Sequence, residues 1–111
     1  LVEDTQQALK DAAEIYRQTL DIPVIGITGS AGKTSTKEMI ASILSQEYHV
    51  LKTQGNFNNE LGVPLTIFRI GEEHEVAVVE MGMNHYGEMH RLSKMVRPTH
   101  CLFTNIGVAL L

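Results

Sequence analysis

Residues 24–35 restrict the fold of this chain more than any other part of the sequence. An apolar, β-branched run leads into glycines and then into Gly-Lys-Thr, a pattern typical of a strand, a turn and a helix in succession. Glycines in such a turn allow consecutive backbone N–H groups to surround an anion, and the helix adds the positive end of its dipole. The segment therefore predicts a phosphate-binding loop of a nucleotide-binding protein.

Two side chains of this loop have specific predicted roles. Lys33 is placed to reach the outer phosphates of a nucleotide, and the Thr34 hydroxyl to bind the Mg²⁺ that bridges them. The loop departs from the usual G-x-x-x-x-G-K-[ST] pattern at one position, because Ile27 stands where the first glycine is expected. The predicted nucleotide-binding residues are Gly29, Ser30, Ala31, Gly32, Lys33, Thr34 and Ser35.

The composition is that of one ordinary globular domain. The chain has 111 residues, of which 43% are hydrophobic and 20% charged, so a core is expected. A formal net charge of −4 without a run of Lys or Arg argues against a general nucleic-acid or membrane-surface protein. Cys101, the single cysteine, lies in an apolar run, which predicts a buried thiol in a reducing cytoplasm. Because the chain begins with Leu1, we expect it to be a piece of a longer protein.

Alternating strand and helix patterns predict an α/β fold that contains a P-loop, with a mainly parallel sheet and helices on both of its faces. In the second helix, the apolar residues Met39, Ile40, Ile43 and Leu44 are expected to point inward. Helices are predicted at residues 4–20, 33–46, 62–68 and 86–95. Strands are predicted at residues 22–28, 49–53, 75–80 and 99–105.

Parallel strands bring the residues at their carboxyl ends to one edge of the sheet, where ligands usually bind. Glu80 and Asn105 end two of the predicted strands, and the glycine loop ends another. A carboxylate at the end of an apolar strand is a candidate ligand for Mg²⁺. A cluster of asparagines, Asn56, Asn58 and Asn59, fits either simple turn chemistry or a catalytic role.

Four blocks of sequence occur in an order that is found in a known family. They are residues 26–34 (Gly-Ile-Thr-Gly-Ser-Ala-Gly-Lys-Thr), 55–66 (Gly-Asn-Phe-Asn-Asn-Glu-Leu-Gly-Val-Pro-Leu-Thr), 79–85 (Val-Glu-Met-Gly-Met-Asn-His) and 104–107 (Thr-Asn-Ile-Gly). This order closely resembles the Mur ligases of peptidoglycan synthesis, and the resemblance covers the whole chain. The second and third blocks imply, within that family, the joining of D-alanyl-D-alanine to UDP-N-acetylmuramoyl-tripeptide.

The resemblance implies a reaction and a site. ATP phosphorylates the terminal carboxylate of the UDP-linked tripeptide, the amine of D-alanyl-D-alanine attacks the acyl phosphate, and phosphate leaves. By the same resemblance, Lys33 and Asn59 are the expected catalytic residues, and Thr34 and Glu80 the expected Mg²⁺ ligands. Charge neutralisation and in-line positioning can supply most of the rate of such a reaction without a protein nucleophile.

The chain departs from the family pattern near its end. The family usually has a histidine that helps to bind a second metal ion where this chain has Leu110. The resemblance implies a linker helix at residues 1–22 and the first part of the ATP-binding central domain at residues 23–111. We therefore expect the 111-residue chain to have negligible ligase activity. We also expect it to self-associate through an exposed sheet edge.

Three other classes of protein share part of this pattern or its chemistry. Folylpolyglutamate synthase belongs to the same ligase superfamily and shares the Thr-Gly-x-x-Gly-Lys loop, but the asparagine block disfavours it. A GTP-dependent switch requires an Asn-Lys-x-Asp tetrad, and the sequence contains none. A non-catalytic module that binds nucleotide or associates with other copies remains a third alternative.

Overall fold

The computed structural model describes residues 2–29, 31–55, 59, 61–82 and 86–104 of this chain. Over these residues helices and strands alternate, as the sequence predicts. The helices are α1 (Val2–Gln18), α2 (Lys33–Leu44), α3 (Gly62–Phe68) and α4 (Tyr86–Val96), and the strands are β1 (Val24–Gly29), β2 (Val50–Lys52), β3 (Val76–Glu80) and β4 (His100–Thr104).

The described strands form one parallel sheet in the order β2-β3-β1-β4. In register, Ile27 lies opposite Glu80 on β3, and Gly29 lies opposite Thr104 on β4. All of the described pairings are parallel, which confirms the predicted α/β class. The carboxyl ends of β1 and β3 therefore meet at the same edge of the sheet, beside the start of α2.

Helices cover both faces of the sheet. One face, which includes Val24, Ala77 and Val79, belongs to a buried apolar cluster shared with α1, α3 and α4. Side chains alternate between the two faces of a strand, so Ile27, Val78 and Glu80 point to the other face. Helix α2 covers that face and contacts β1, β2 and β3.

Helix α1, the predicted linker helix, packs against α3 and α4. The guanidinium of Arg17, which is buried, donates to the carbonyl oxygens of Val96 at 2.6 Å and Arg97 at 2.8 Å, at the end of α4. Arg91 of α4 forms an ion pair with Asp11 at 2.8 Å. This contact holds the pKa of the Asp11 carboxyl below its ordinary value. The boundary at residue 22 remains a prediction.

The prediction for the buried face of α2 is wrong at two positions. Met39 and Ile43 are 63% and 61% exposed, whereas the buried residues of the helix are Lys37 and Ala41. The latter two lie one helical turn apart, so they share a face, and the small Ala41 side chain permits close approach to the sheet. The Lys37 ammonium has polar partners at Thr53, which follows β2, and at Glu80 on β3, and hydrophobic periodicity does not record such contacts.

Cys101 corrects a second prediction, because its thiol is exposed and not buried. It lies on β4, which is at the end of the described sheet, next to Leu102 and Phe103 at 39% and 55% exposure. A strand with one described neighbour leaves its apolar side chains partly uncovered. Within the ranges given above, no helix is both long and apolar enough to cross a membrane.

Candidate functional site: a glycine loop beside a carboxylate

The loop between β1 and α2 has the backbone that a phosphate cradle requires. Gly32, the N-cap residue of α2, has a φ of 80°, in the left-handed region that favours glycine. It provides no side-chain oxygen to cap the first turn, and the described part of the loop shows no side-chain cap hydrogen bond. The first N–H groups of a helix lack partners within the helix. Because no described side chain caps α2, its first backbone N–H groups can donate hydrogen bonds to a bound anion.

Gly29 closes the loop against the neighbouring strand. Its φ is 130°, and a Cβ atom added there would lie 2.2 Å from the carbonyl oxygen and from the hydroxyl oxygen of Thr104. The Thr104 hydroxyl donates to the Ala31 carbonyl at 2.6 Å, which ties the loop to β4. The position therefore accepts only glycine, for both conformational and steric reasons.

We expect Gly29→Ala to lower the free energy of unfolding by about 2–4 kcal/mol, from backbone strain and the clash with Thr104. Gly32→Ala is the matched control, since a Cβ there would meet nothing within 4 Å. Gly32→Ala should lower the free energy of unfolding only by the strain of a left-handed backbone at a non-glycine residue, about 1–2 kcal/mol. Denaturant unfolding measures both changes, and a Gly29→Ala cost no larger than that of the control contradicts the steric argument.

Lys33 and Thr34 occupy the first turn of α2. The Lys33 ammonium donates to the carbonyl oxygen of Gly29 at 2.7 Å, which folds the side chain back over its own loop. The Thr34 hydroxyl lies 3.2 and 3.3 Å from the two carboxylate oxygens of Glu80. The structure thus brings together three of the side chains that the sequence predicts for phosphate and metal binding.

The residues present fit a magnesium ion. A hydroxyl and a carboxylate are hard oxygen donors, and Mg²⁺ in nucleotide sites is held by one or two such protein groups together with substrate phosphates and water. Among the described side chains there is no group of three or more His, Cys, Asp or Glu that could hold a metal ion on its own. This donor set suits an ion that arrives with a nucleotide.

Two residues of the site were missed by the sequence analysis, Lys37 and Thr53. The Lys37 ammonium lies 3.1 Å from Glu80 Oε2 and donates to the Thr53 carbonyl at 2.7 Å, and both Lys37 and Glu80 are 0% exposed. The Thr53 hydroxyl accepts from the backbone N–H of Glu80 at 2.9 Å. A signal for Lys37 existed: it lies three residues after Thr34, on the same face of the helix.

Asn59 lies in the turn that precedes α3 (Gly62–Phe68) and stabilises the start of that helix. Its side-chain oxygen accepts from the backbone N–H groups of Leu61 at 3.1 Å and Gly62 at 2.7 Å. This is the turn chemistry that is one of the two predicted roles of the asparagine cluster. The catalytic role of Asn59 remains a prediction.

We expect Asn59→Ala to destabilise the protein by about 1 kcal/mol, the usual effect of removing a helix-capping oxygen. Asn59→Asp keeps an acceptor oxygen and should largely restore stability. If the Asn59 amide acts in the reaction, the aspartate variant is stable but slow. An aspartate variant with unchanged turnover contradicts the catalytic prediction.

Four predicted or candidate site residues lie outside the described part of the chain, namely Ser30, Asn56, Asn58 and Asn105, and so does Leu110, which stands where the family usually has a histidine. A cleft of about 650 Å³ lies at the opposite end of the strands, where Pro23, Thr99 and His100 form part of its lining. Arg17 also lines this cleft, and its guanidinium is engaged by backbone carbonyls at the end of α4. The residues that the sequence predicts for phosphate and metal binding lie at the glycine loop, away from this cleft.

The fold and the site together define a parallel α/β domain with a glycine loop of the phosphate-binding kind. Residues 27–109 match the Mur ligase middle domain. Because that match covers well over half of the chain, the chain belongs to the Mur ligase family.

Relatives and solved structures agree with this assignment. The chain is 50% identical over 107 residues to the UDP-N-acetylmuramoyl-tripeptide--D-alanyl-D-alanine ligase of Bacillus subtilis, covering 96% of this chain and 23% of that protein. It is 44% identical over 109 residues to the ligase of the same name from Escherichia coli, covering 98% of this chain and 24% of that protein. The chain thus spans about a quarter of the length of these relatives.

Two solved structures have the same fold over this region. A crystal structure of MurF from Acinetobacter baumannii matches with a TM-score of 0.88 and 45% identity, over 93% of this chain and 23% of that one. MurF ligase from Thermotoga maritima, solved in complex with ADP, matches with a TM-score of 0.78 and 37% identity, over 88% of this chain and 23% of that one.

Proposed function

We propose that this chain supplies the nucleotide-phosphate and Mg²⁺ site of an ATP-dependent ligase of peptidoglycan precursor synthesis. The ligase joins D-alanyl-D-alanine to UDP-N-acetylmuramoyl-tripeptide. The observation that carries the proposal is the contact between the Thr34 hydroxyl and the Glu80 carboxylate, whose oxygens lie 3.2 Å apart. This contact lies beside the N-terminus of α2, which begins after Gly32 and has no side-chain cap. The names of the similar proteins support the choice of substrates.

In this proposal the protein acts on phosphoryl transfer by position and charge. The backbone N–H groups of residues 29–35 bind the phosphates of ATP, and Lys33 exchanges the Gly29 carbonyl for a phosphate oxygen. Thr34 and Glu80 would hold Mg²⁺, and the ion would supply charge neutralisation at the phosphates. Asn59 remains a candidate catalytic residue near the reacting groups. The substrate carboxylate then attacks the γ-phosphorus, ADP leaves, and the amine of D-alanyl-D-alanine displaces phosphate from the acyl phosphate.

The test is phosphate release by the intact protein that carries this chain. We expect release only when ATP, UDP-N-acetylmuramoyl-tripeptide and D-alanyl-D-alanine are all present, and negligible release by the 111-residue chain alone. A pteroate substrate with glutamate tests the folylpolyglutamate synthase alternative. Phosphate release with ATP and that pair, but not with ATP and the two peptidoglycan precursors, overturns the proposed substrates. ADP binding without phosphate release in any mixture favours the non-catalytic module.

Self-association is a separate prediction for the 111-residue chain. The partly exposed Leu102 and Phe103 on β4 support it, because a strand with uncovered apolar side chains can pair with a second copy. Light scattering across micromolar concentrations should detect dimers or larger species. A uniform monomer across that range contradicts the prediction.

A further inference from the structure

Lys37 is a charged side chain with 0% exposure, and binding of nucleotide by the glycine loop does not require it. A buried ammonium is costly unless each of its protons meets an acceptor. The Lys37 ammonium has three acceptors within reach: Glu80 Oε2 at 3.1 Å, the Thr53 carbonyl at 2.7 Å and Glu38 Oε2 at 3.2 Å. Its position is therefore fixed by three groups on three different elements or their ends.

Glu80 is held from several sides by these contacts. The ammonium of Lys37 touches one carboxylate oxygen, and the Thr34 hydroxyl lies within 3.3 Å of both. The backbone N–H of Glu80 donates to the Thr53 hydroxyl at 2.9 Å, which fixes the main chain at the same point. A carboxylate held in this way keeps one orientation before any ligand arrives, which is what precise metal binding requires.

Lys37 also joins two sides of the site. Thr53 follows β2 directly and leads into the segment that ends at Asn59, whereas Lys37 lies one turn into the helix that the glycine loop opens. One buried cation thus connects that helix, the carboxylate at the end of β3 and the exit of β2.

We propose that Lys37 is a positioning residue that orients the Glu80 carboxylate for a divalent cation shared with Thr34 and a nucleotide. The inference rests on the proposed function. It predicts a specific defect. Loss of Lys37 should reduce the gain in nucleotide affinity that the metal provides, but should leave the affinity of the loop for the nucleotide phosphates without metal unchanged. A variant that was merely misfolded would lose both.

The experiment measures ADP binding by the intact protein in Mg²⁺ and in EDTA, by titration calorimetry. The enhancement is the ratio of ADP affinity in Mg²⁺ to ADP affinity in EDTA. For Lys37→Met we expect this enhancement to fall about tenfold or more, as is usual when a group that orients a metal ligand is removed. Affinity in EDTA should stay within about twofold of the unsubstituted protein. Direct Mn²⁺ binding, followed by electron paramagnetic resonance in the presence of ADP, should weaken in parallel.

Three further variants sharpen the test. Lys52→Met removes an exposed lysine that also pairs with Glu38, and should leave the enhancement unchanged. Lys37→Arg keeps the charge and should restore part of the enhancement. In a Glu80→Gln background, Lys37→Met should have no further effect if Lys37 acts through Glu80. Where Lys37→Met does not fold, Lys37→Gln, which also removes the charge, provides the same comparison.

The outcomes separate this inference from the proposed function. Equal weakening in Mg²⁺ and EDTA, or an unchanged enhancement in the neutral Lys37 variants, overturns the role of Lys37 and leaves the loop assignment standing. ADP binding without any enhancement by Mg²⁺ in the unsubstituted protein likewise overturns it. Absence of ADP binding by the unsubstituted protein overturns the proposed function as well.

Discussion

Replacing Lys33 with methionine is expected to lower the turnover of the intact protein in the proposed reaction by about a thousandfold, because one preorganised charge on a transferring phosphoryl group has an effect of this order. The described contact of this ammonium in the structure is with the Gly29 carbonyl, 2.7 Å away in its own loop. The lysine is half-buried and supports no core packing, so thermal unfolding without nucleotide should change little.

The measurement is steady-state phosphate release with all three substrates, alongside a melting curve. Lys52→Met is the control for the loss of one lysine, since Lys52 is 42% exposed on β2 and pairs with Glu38. Turnover of the Lys33 variant within about threefold of the unsubstituted protein is far below the expected effect, and excludes charge neutralisation by Lys33 as the main source of rate.

The second large effect is on stability, at the buried pair of Lys37 and Glu80. We expect Lys37→Met to lower the free energy of unfolding by about 3–5 kcal/mol, because it removes the positive charge that lies 3.1 Å from the buried Glu80 carboxylate. Both side chains are 0% exposed, so water cannot take the place of the missing partner.

A double-mutant cycle with Glu80→Gln provides the test. The double variant removes both members of the ion pair, so its loss of stability should be smaller than the sum of the two single losses by about 2 kcal/mol. Denaturant unfolding gives all four free energies. For comparison, Lys52→Met breaks an exposed pair and should cost less than about 1 kcal/mol. Strictly additive effects at Lys37 and Glu80 contradict the proposed coupling.

Most of the fold could be predicted from local pattern. The β-branched run before Gly29, the Gly-Lys-Thr at the start of α2 and the alternation of strands with helices are signals carried by neighbouring residues, and α3 has the predicted bounds. The pairing of Thr34 with Glu80 was also predictable, because parallel strands place their carboxyl ends at one edge.

Long-range packing decided what local pattern could not. Hydrophobic periodicity predicted that Met39 and Ile43 face inward, but α2 instead buries Lys37 and Ala41. One partner of Lys37 is Thr53, 16 residues away in sequence, and the other is Glu80 on β3. The interactions that place Lys37 on the buried face of α2 therefore form only when the sheet is assembled. The apolar run around Cys101 likewise predicted burial, whereas its place at the end of the described sheet leaves the thiol exposed.

The sequence by itself determined that a glycine loop follows a parallel strand and that Lys33 and Thr34 open the next helix, because these features depend on the order of neighbouring residues. Only the tertiary structure decided that a lysine is buried beneath the carboxylate of Glu80. The energy of a buried charge depends on partners distant in sequence, and no local periodicity records them.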